Sequence, residues 1–538
     1  MNHIYLIVNN AKNNKRLAQS AIATIIMFLI AHGYSYFNSA FCMDRYAWFD
    51  NGWFGGYYWR DGTYSNTGKW FNMYYGLLND SSYLPWFNGI LTILFSVGAV
   101  FIICDALDIN QNLNIWMVAG LVATNISIIT AHFYFPFPYL GALFLAVLSV
   151  LIWDKEYIKM WVRILSGAVC ICLSLGTYGA YTSVGPTLVI LCCILLILKD
   201  TPGGLVLKRG AEYIFTFLVG LILYYVILRI YLVILNIDML AYMNEDRLMN
   251  GIGIQELLYL LEIAYKNAIL YYLGDYRGSY VVMPRWMAIM ALVLILVLFV
   301  LAVIQRKKMD IRKGEFWILS ILLVLFPLSA ASIYVMSFGA VHQLMIFTYV
   351  IFYIGALKLI ENTSDQGKIC SVIGVMLSLV LAFVVYRGVL TSNMAYSRLD
   401  NLYTISNGIA ERLIERVESC EGFEGNETIC FYGDITDSYY FTQSREQYSW
   451  NLEQLDGVLG VDRKYSNTFL YPTHLIMLLR ENSDLNLDIE YFDPDDNSFT
   501  MDQMQQLKDM PVYPADGSTK KIDDIIMVKF VEFEERDG

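Results

Sequence analysis

The sequence predicts an all-α polytopic membrane protein with about eleven transmembrane helices and a small C-terminal α/β domain. Apolar residues make up 57% of the 538 residues, and the mean hydropathy is +0.47, above the range of soluble domains. Between residues 17 and 391, apolar stretches of about 20 residues, the length that crosses a bilayer, alternate with short polar connectors. Backbone polar groups inside a bilayer must pair within their own segment, so these stretches are expected to be helices.

The apolar stretches set the expected spans. The first is too long for a cleaved signal peptide, and no small-residue cleavage site follows it. The spans are expected at 17–34, 86–104, 113–131, 138–153, 162–177, 182–199, 211–235, 285–304, 315–335, 341–359 and 369–390.

Lys and Arg residues in alternate connectors set the expected orientation, because basic loops stay in the cytoplasm. With this number of spans, all the basic connectors fall on one side. The N-terminus is then cytoplasmic, while loops 35–85 and 236–284 and the domain 391–538 are extracytoplasmic. The basic residues used are Lys12, Lys15, Arg16, Lys155, Lys159, Arg163, Lys199, Lys208, Arg209, Arg306, Lys307, Lys308, Arg312, Lys313, Lys358 and Lys368.

The second outer loop contains an apolar stretch at 254–273 that Glu256, Glu262 and Lys266 interrupt. This pattern favours an amphipathic helix at the membrane interface. The alternative is a twelfth span, which would place the C-terminal domain in the cytoplasm and reverse the later basic loops.

The chain divides into a transmembrane body at 1–390 and a C-terminal domain at 391–538. The domain holds a large excess of Asp and Glu, so a chain of net charge −12 still has a basic membrane half. This argues against nucleic acid or an anionic membrane surface as a partner of the domain. We expect strands at 428–433, 487–492 and 525–530 and helices at 406–420, 473–482 and 500–510, with Ser406 or Asn407 as the N-cap of the first helix. Cys420 and Cys430 form a disulfide or stay as two free thiols.

The first outer loop carries the residues best suited to chemistry. Tyr, Trp and Phe crowd it with glycines between them, which suits stacking on sugar rings, although an aromatic belt at the interface has the same composition. A carboxylate such as Asp44 among aromatic rings can act as a general base, with Asp50 as the alternate; a loop salt bridge with Arg45 is the simpler reading. Lys69, Arg60 and Arg45 can bind phosphate or serve only as solvated loop charges.

These features resemble the glucosyltransferase II family of the phage O-antigen-conversion type, within the type C class of polytopic membrane glycosyltransferases. The resemblance is carried by Asp44, by "TGKW" at 67–70, by "LPWFNGILTILF" at 84–95 and by "GTYGAYTSV" at 176–184. Two residues depart from the family pattern. Lys69 stands where Arg is more usual, and Arg45 stands where a second acidic residue is expected.

The resemblance implies an outward-facing active site that moves a hexose, plausibly glucose, from a polyprenyl-phosphate donor to a cell-surface glycan. It implies that Asp44 is the base and that Trp70, Tyr178 and Tyr181 contact sugar or acceptor. His342, near the start of an outer helix, also suits a sugar contact, although capping or core packing would explain it equally. No cofactor and no metal site is expected, since no cysteine or histidine cluster has metal-ligand spacing and no Gly-rich phosphate loop follows a strand.

Two other classes of function stay open at this point. A glycolipid transporter or flippase would need charged groups at mid-membrane depth and internal repeats, and the predicted spans are nearly free of both. A glycan polymerase or ligase also uses lipid-linked sugars, but it is more often built around a large late loop with arginines. The aspartate in the first outer loop favours the transferase.

Overall fold

The computed structural model describes residues 2–38, 67–78, 84–134, 136–239, 253–276, 279–305, 314–363, 367–435, 455, 457–461, 472–481, 483, 488–492 and 500–532. The described residues up to 393 form one compact unit, here called the membrane unit. Those from 394 onward form a second unit, here called the tail.

The membrane unit is helical throughout its described residues. Its helices are α1 (Asn2–Phe37), α2 (Asn72–Gly76), α3 (Pro85–Ala106), α4 (Asn112–Ala123), α5 (Ile126–Phe133), α6 (Pro136–Asp154), α7 (Met160–Tyr178), α8 (Val184–Leu198), α9 (Gly203–Leu235), α10 (Ile254–Tyr272), α11 (Ser279–Val282), α12 (Arg285–Gln305), α13 (Gly314–Ala330), α14 (Ile333–Met336), α15 (Val350–Thr363) and α16 (Lys368–Glu418). Short 3-10 turns at Gly179–Ser183, Gln343–Met345 and Phe347–Tyr349 join some of them.

Seven helical segments among the described residues are long and apolar enough to cross a membrane, and α4 with α5, bent by 48°, adds an eighth. A polytopic helical membrane protein is therefore confirmed, while the number eleven stays a prediction. Four other expected spans differ in detail. The two expected at 162–177 and 182–199 fall within one apolar stretch, Met160–Leu198. Helix α13 is shorter than a full span, and the expected span 341–359 is α-helical only from Val350.

A charge cluster joins one end of the membrane unit. Asp105, which is nearly buried, pairs with Arg16 and lies 3.0 Å from Lys155 Nζ. Three residues further on, Asp108 lies 3.1 Å from Arg16, 3.6 Å from Lys199 and 3.7 Å from Lys358. Four residues of the basic connectors therefore meet at one end, here called the basic end. Because Lys155 precedes α7 and Lys199 follows α8, the chain leaves this end along α7 and returns along α8.

The stretch predicted as an amphipathic helix is α10, Ile254–Tyr272. Leu260, Ala264 and Ala268 are buried at helical spacing, while Leu258 and Ile269 are exposed. It is not among the seven segments that are long and apolar enough to cross a membrane, and the twelfth span stays an alternative.

Helix α16 is the longest described element, runs 51 residues without a break and passes from the membrane unit into the tail. The expected helix start at Ser406 or Asn407 is therefore wrong, because both residues lie inside α16. No proline interrupts residues 368–418, so nothing in the local sequence ends the helix where the apolar run ends.

The tail contains a sheet of four strands in the order β2-β1-β4-β3. Strands β1 (Thr428–Tyr432), β2 (Asp488–Tyr491) and β4 (Ile525–Lys529) match the three predicted strands, and they pair in parallel. Strand β3 (Thr519–Ile522), which was not predicted, pairs antiparallel with β4. Helices α17 (Pro472–Glu481) and α18 (Met501–Asp509) match the predicted helices, and Thr500 with Gln503 forms a capping box at the start of α18.

Both cysteines of the predicted disulfide alternative have free thiols in the structure. Cys430 lies buried in β1 and Cys420 is partly exposed after α16. The structure therefore has two free thiols at these positions and not a disulfide.

Candidate functional site

The "TGKW" element docks against the end of α7. The Phe71 N–H donates to the Gly176 carbonyl over 2.7 Å, and the Tyr224 hydroxyl donates to the Gly68 carbonyl over 3.1 Å. Gly68 has a φ of +77°, a left-handed conformation that glycine adopts at least cost. A short loop is thereby fixed between α7 and α9.

Trp70 anchors this loop. Its side chain is buried, stacks on Tyr231 at 5.6 Å between ring centroids, and packs beside Gly176 and Leu228. The indole Nε1 is also buried and has no hydrogen-bond partner among the described residues. Since the ring is enclosed by α7 and α9, its first effect is to position its neighbour, Lys69.

Lys69 lies beside the aromatic end of α7. Its Nζ is 5.9 Å from the centre of the Tyr178 ring, and the Tyr178 and Tyr181 rings are 5.4 Å apart. Tyr139 packs edge-on against Tyr178 at 4.6 Å. The Lys69 charge also acts on His342. Three of the residues predicted for the site, Lys69, Tyr178 and Tyr181, are therefore neighbours, although they come from two distant parts of the sequence.

His342 lies in the connector between α14 and α15, outside the seven membrane-crossing segments. Burial and the Lys69 ammonium together lower the pKa of His342 to about 4. The imidazole is therefore neutral at pH 7, and its buried Nδ1 has no hydrogen-bond partner among the described residues. A neutral imidazole beside an ammonium can exchange a hydrogen bond with a sugar or phosphate oxygen without adding a second positive charge.

A network of hydroxyl groups fixes the connector that carries His342. The Ser127 hydroxyl donates to the Leu344 carbonyl over 2.6 Å and lies 3.3 Å from the Tyr181 hydroxyl. The Ser183 and Thr348 hydroxyls are 2.6 Å apart. Tyr181 is fully buried, so within this structure it holds the site together rather than facing a ligand.

The helix break between α4 and α5 supplies one end of that network. Asn125 caps α5 by accepting a hydrogen bond from the Ser127 N–H over 2.9 Å. The sequence predicts one span over 113–131, and neither residue was among the predicted site residues. The available signal was an Asn and a Ser in the middle of an apolar run, because polar residues at membrane depth need a partner there.

The four remaining predicted site residues, Asp44, Asp50, Arg45 and Arg60, lie outside the described residues. Their roles stay predictions. Within the ranges that the structure describes, no group of His, Cys, Asp and Glu has the arrangement of a metal site.

A bundle of apolar helices, seven of them long enough to cross a membrane among the described residues, defines a polytopic membrane protein with a candidate site at the end of α7. The family model described as Glucosyl transferase GtrII matches residues 56–357, more than half of the chain. The chain therefore belongs to this family, which confirms the resemblance seen in the sequence, and membership implies a glycosyltransferase that uses a sugar donor and an acceptor. No curated protein and no solved structure matches the chain significantly.

Proposed function

We propose that this protein transfers a hexose, plausibly glucose, from a polyprenyl-phosphate donor to a cell-surface glycan at the outer face of the membrane. The observation that carries the proposal is the contact of Lys69 with Tyr178 at the end of α7, next to the hydroxyl network that fixes the connector of His342. These residues lie within the part of the chain that the family model matches. The donor, the acceptor and the side of the membrane are all part of what we propose.

The outer-face location is supported by the position of the site along α7. This helix starts near Lys155 at the basic end and reaches Tyr178 after 19 residues, a rise of roughly 28 Å, which is close to the thickness of the hydrocarbon core. Basic connectors favour the cytoplasm. If the basic end is cytoplasmic, the site and the tail are outside.

A lipid-linked donor follows from this location, because a sugar used outside must be carried across the membrane in an anchored form. The sequence also contains no Gly-rich loop after a strand that would cradle a nucleotide phosphate. The Lys69 ammonium suits the phosphate of such a donor as a point charge. The neutral His342 suits a hydroxyl or phosphate oxygen next to it.

In the proposed reaction, Asp44 takes the proton from the acceptor hydroxyl while the acceptor oxygen attacks the anomeric carbon. The bond between that carbon and the phosphate oxygen breaks, and the polyprenyl phosphate leaves with the electron pair. Direct displacement inverts the anomeric centre. Lys69 stabilises the charge that develops on the leaving phosphate. Asp50 is the alternate base.

The decisive experiment measures sugar transfer from polyprenyl-phosphate glucose by membranes that contain the wild type, Asp44→Asn or Asp50→Asn. Loss of general-base help should lower turnover roughly 10²–10⁴-fold for Asp44→Asn, with normal folding and insertion. Loss for Asp50→Asn alone would move the base to Asp50. Near-normal turnover for both would remove the first outer loop from the mechanism.

A second experiment tests the phosphate role of Lys69. Lys69→Met should lower turnover, whereas Lys159→Met, which changes an exposed lysine outside the site, should not. The sidedness is tested by a reporter fused after residue 395, which should behave as exported. A cytoplasmic reporter would contradict the outer-face proposal.

A further inference from the structure

The tail contains a groove that the reaction above does not use. It has a volume of about 880 Å³ and lies between the C-terminal part of α16 and the segment 513–521 that leads into β3. This volume falls within the range of sites that bind small molecules or short chain segments. All of its lining residues belong to the tail.

Contacts of Arg416 fix the two walls of the groove to each other. Its Nη1 donates to the Ala515 carbonyl over 2.9 Å, and its Nη2 lies 3.5 Å from Asp516. The guanidinium also lies over the ring of Tyr513, 5.6 Å from the centroid. The groove is therefore formed before any ligand arrives, and a preformed site binds at a lower ordering cost.

The charges of the groove are mixed, although the tail as a whole is strongly acidic. Arg412 and Lys520 line it together with Glu415 and Glu421. Neighbouring charges of both signs disfavour a polyanion. The same side chains provide ionised donors and acceptors, which make strong hydrogen bonds to neutral hydroxyl groups.

One hydroxyl in the groove is left without a protein partner. Thr519 lines the groove. Its Oγ1 is buried and has no hydrogen-bond partner among the described residues. A buried hydroxyl without a partner is unfavourable. A change of the Thr519 rotamer would turn this hydroxyl toward a ligand and relieve that cost. The exposed ring of Pro514, another lining residue, offers an apolar contact.

We infer that the groove between α16 and residues 513–521 binds a neutral oligosaccharide segment of the acceptor glycan. Neutral sugars present the hydroxyl edges and apolar C–H faces that this mixture of side chains can bind. The identity of the glycan as acceptor depends on the proposed function; binding in the groove does not. The tail then retains the polymer while the membrane unit carries out the transfer.

The test uses the full-length protein in detergent and, as probe, the cell-surface polysaccharide purified from cells that lack this enzyme. Dextran is the unrelated neutral polymer. The double variant Arg412→Ala, Lys520→Ala should bind the probe at least about tenfold more weakly, and Glu415→Gln should also weaken binding. Arg480→Ala, an exposed change on α17 outside the groove, should bind as the wild type does.

Kinetics and salt dependence further test whether the groove binds a neutral polymer. The double variant should raise KM for the polymer and leave kcat unchanged. Wild-type binding should change little between 50 and 500 mM salt, roughly the range over which screening removes exposed charge interactions.

Three results would contradict glycan binding in the groove: unchanged binding in both groove variants, loss of wild-type binding at high salt, or equal affinity for dextran. Wild-type protein that transfers sugar but does not bind the probe would also contradict binding in the groove, while the proposed function would stand. Protein that binds the probe but transfers no sugar would contradict the proposed function, while binding in the groove would stand.

Discussion

Gly176 leaves no room for a side chain beneath the Trp70 indole. A Cβ at residue 176 would lie 2.7 Å from Trp70 Cε2 and 3.1 Å from Nε1. The absence of a side chain on α7 therefore determines where the "TGKW" loop can dock, and through it the position of Lys69.

Gly176→Ala should displace Trp70 and with it Lys69. Overpacking of this kind costs about 1–3 kcal/mol, and a shift of about 1 Å in a site can cost ~10²-fold in rate. Turnover by the folded protein should therefore fall, in addition to any loss of stability seen as a lower melting temperature. The control is Gly179→Ala, three residues further along, whose Cβ would meet only Leu175 Cδ2 at 3.8 Å. Equal effects of the two substitutions would show that the Trp70 contact is unimportant.

His342 should make stability depend on pH. Its pKa in the folded protein is lowered from 6.5 to about 4, so the folded state prefers the neutral ring. Its contribution is fully present above pH 6.5 and is lost as the pH falls toward 4, by roughly 2 kcal/mol between pH 7.5 and 5. Thermal unfolding at these two pH values should show a smaller drop for His342→Gln than for the wild type.

Lys69→Met should bring the pKa of His342 in the folded protein closer to 6.5, because the Lys69 charge is one of the two causes that lower it. The loss of stability between pH 7.5 and 5 should therefore be smaller than in the wild type. Burial is the larger cause, so most of the shift should persist in the variant. An unchanged pH dependence in Lys69→Met would mean that the two side chains do not interact.

Glu427 should stabilise the folded tail at neutral pH. Its carboxylate lies 2.7 Å from Lys521 Nζ and accepts backbone N–H groups of Glu424 and Gly425 over 2.8 and 2.9 Å. The Lys521 contact and these N–H groups lower the pKa of Glu427 to about 2.

The pH dependence of this contribution has a defined sign. It is present above pH 4.5, the ordinary pKa, and is lost as the pH falls toward 2. Glu427→Gln should lower thermal stability at pH 7 and much less at pH 3. Glu418→Gln, an exposed change at the end of α16, should have little effect at either pH. A penalty for Glu427→Gln that does not vary with pH would contradict the ionic origin.

Asp105 should contribute more to stability than other aspartates that pair with arginine. Both Asp105 and Arg16 are nearly buried, with side-chain exposures of 8% and 5%, and removing one partner of such a pair costs about 3–5 kcal/mol. Asp154 also pairs with an arginine, Arg209 at 2.8 Å, but is 38% exposed. Asp154→Asn should therefore cost only about 0–1 kcal/mol, and comparing the melting temperatures of the two Asn variants in detergent checks the difference.

The apolar stretches predicted the helices well because burial in a bilayer leaves little choice of secondary structure. The features that sequence missed depend on contacts between distant residues. At the bend between α4 and α5, Asn125 caps α5 through the Ser127 N–H, and the Ser127 hydroxyl donates to the distant Leu344 carbonyl. Strand β3, "TKKI", has no alternation of apolar residues and becomes a strand only through pairing with β4.

The candidate site was predictable as a set of residue types but not as an arrangement. Lys69 and His342 were predicted from their chemistry and their expected side of the membrane, and Tyr178 from the family resemblance. No feature of the sequence indicates that the loop at 67–70 crosses to α7, since that depends on the space left by Gly176. The catalytic roles of these residues remain predictions.

The charge cluster at Asp105 has a mechanical consequence. It ties α1, α3 and α15 together with the connectors after α6 and α8 through short ionic contacts. Because these elements are held together at one end, any spreading of the helices relative to one another is smallest at that end. It is greatest at the opposite end, where Tyr178 lies.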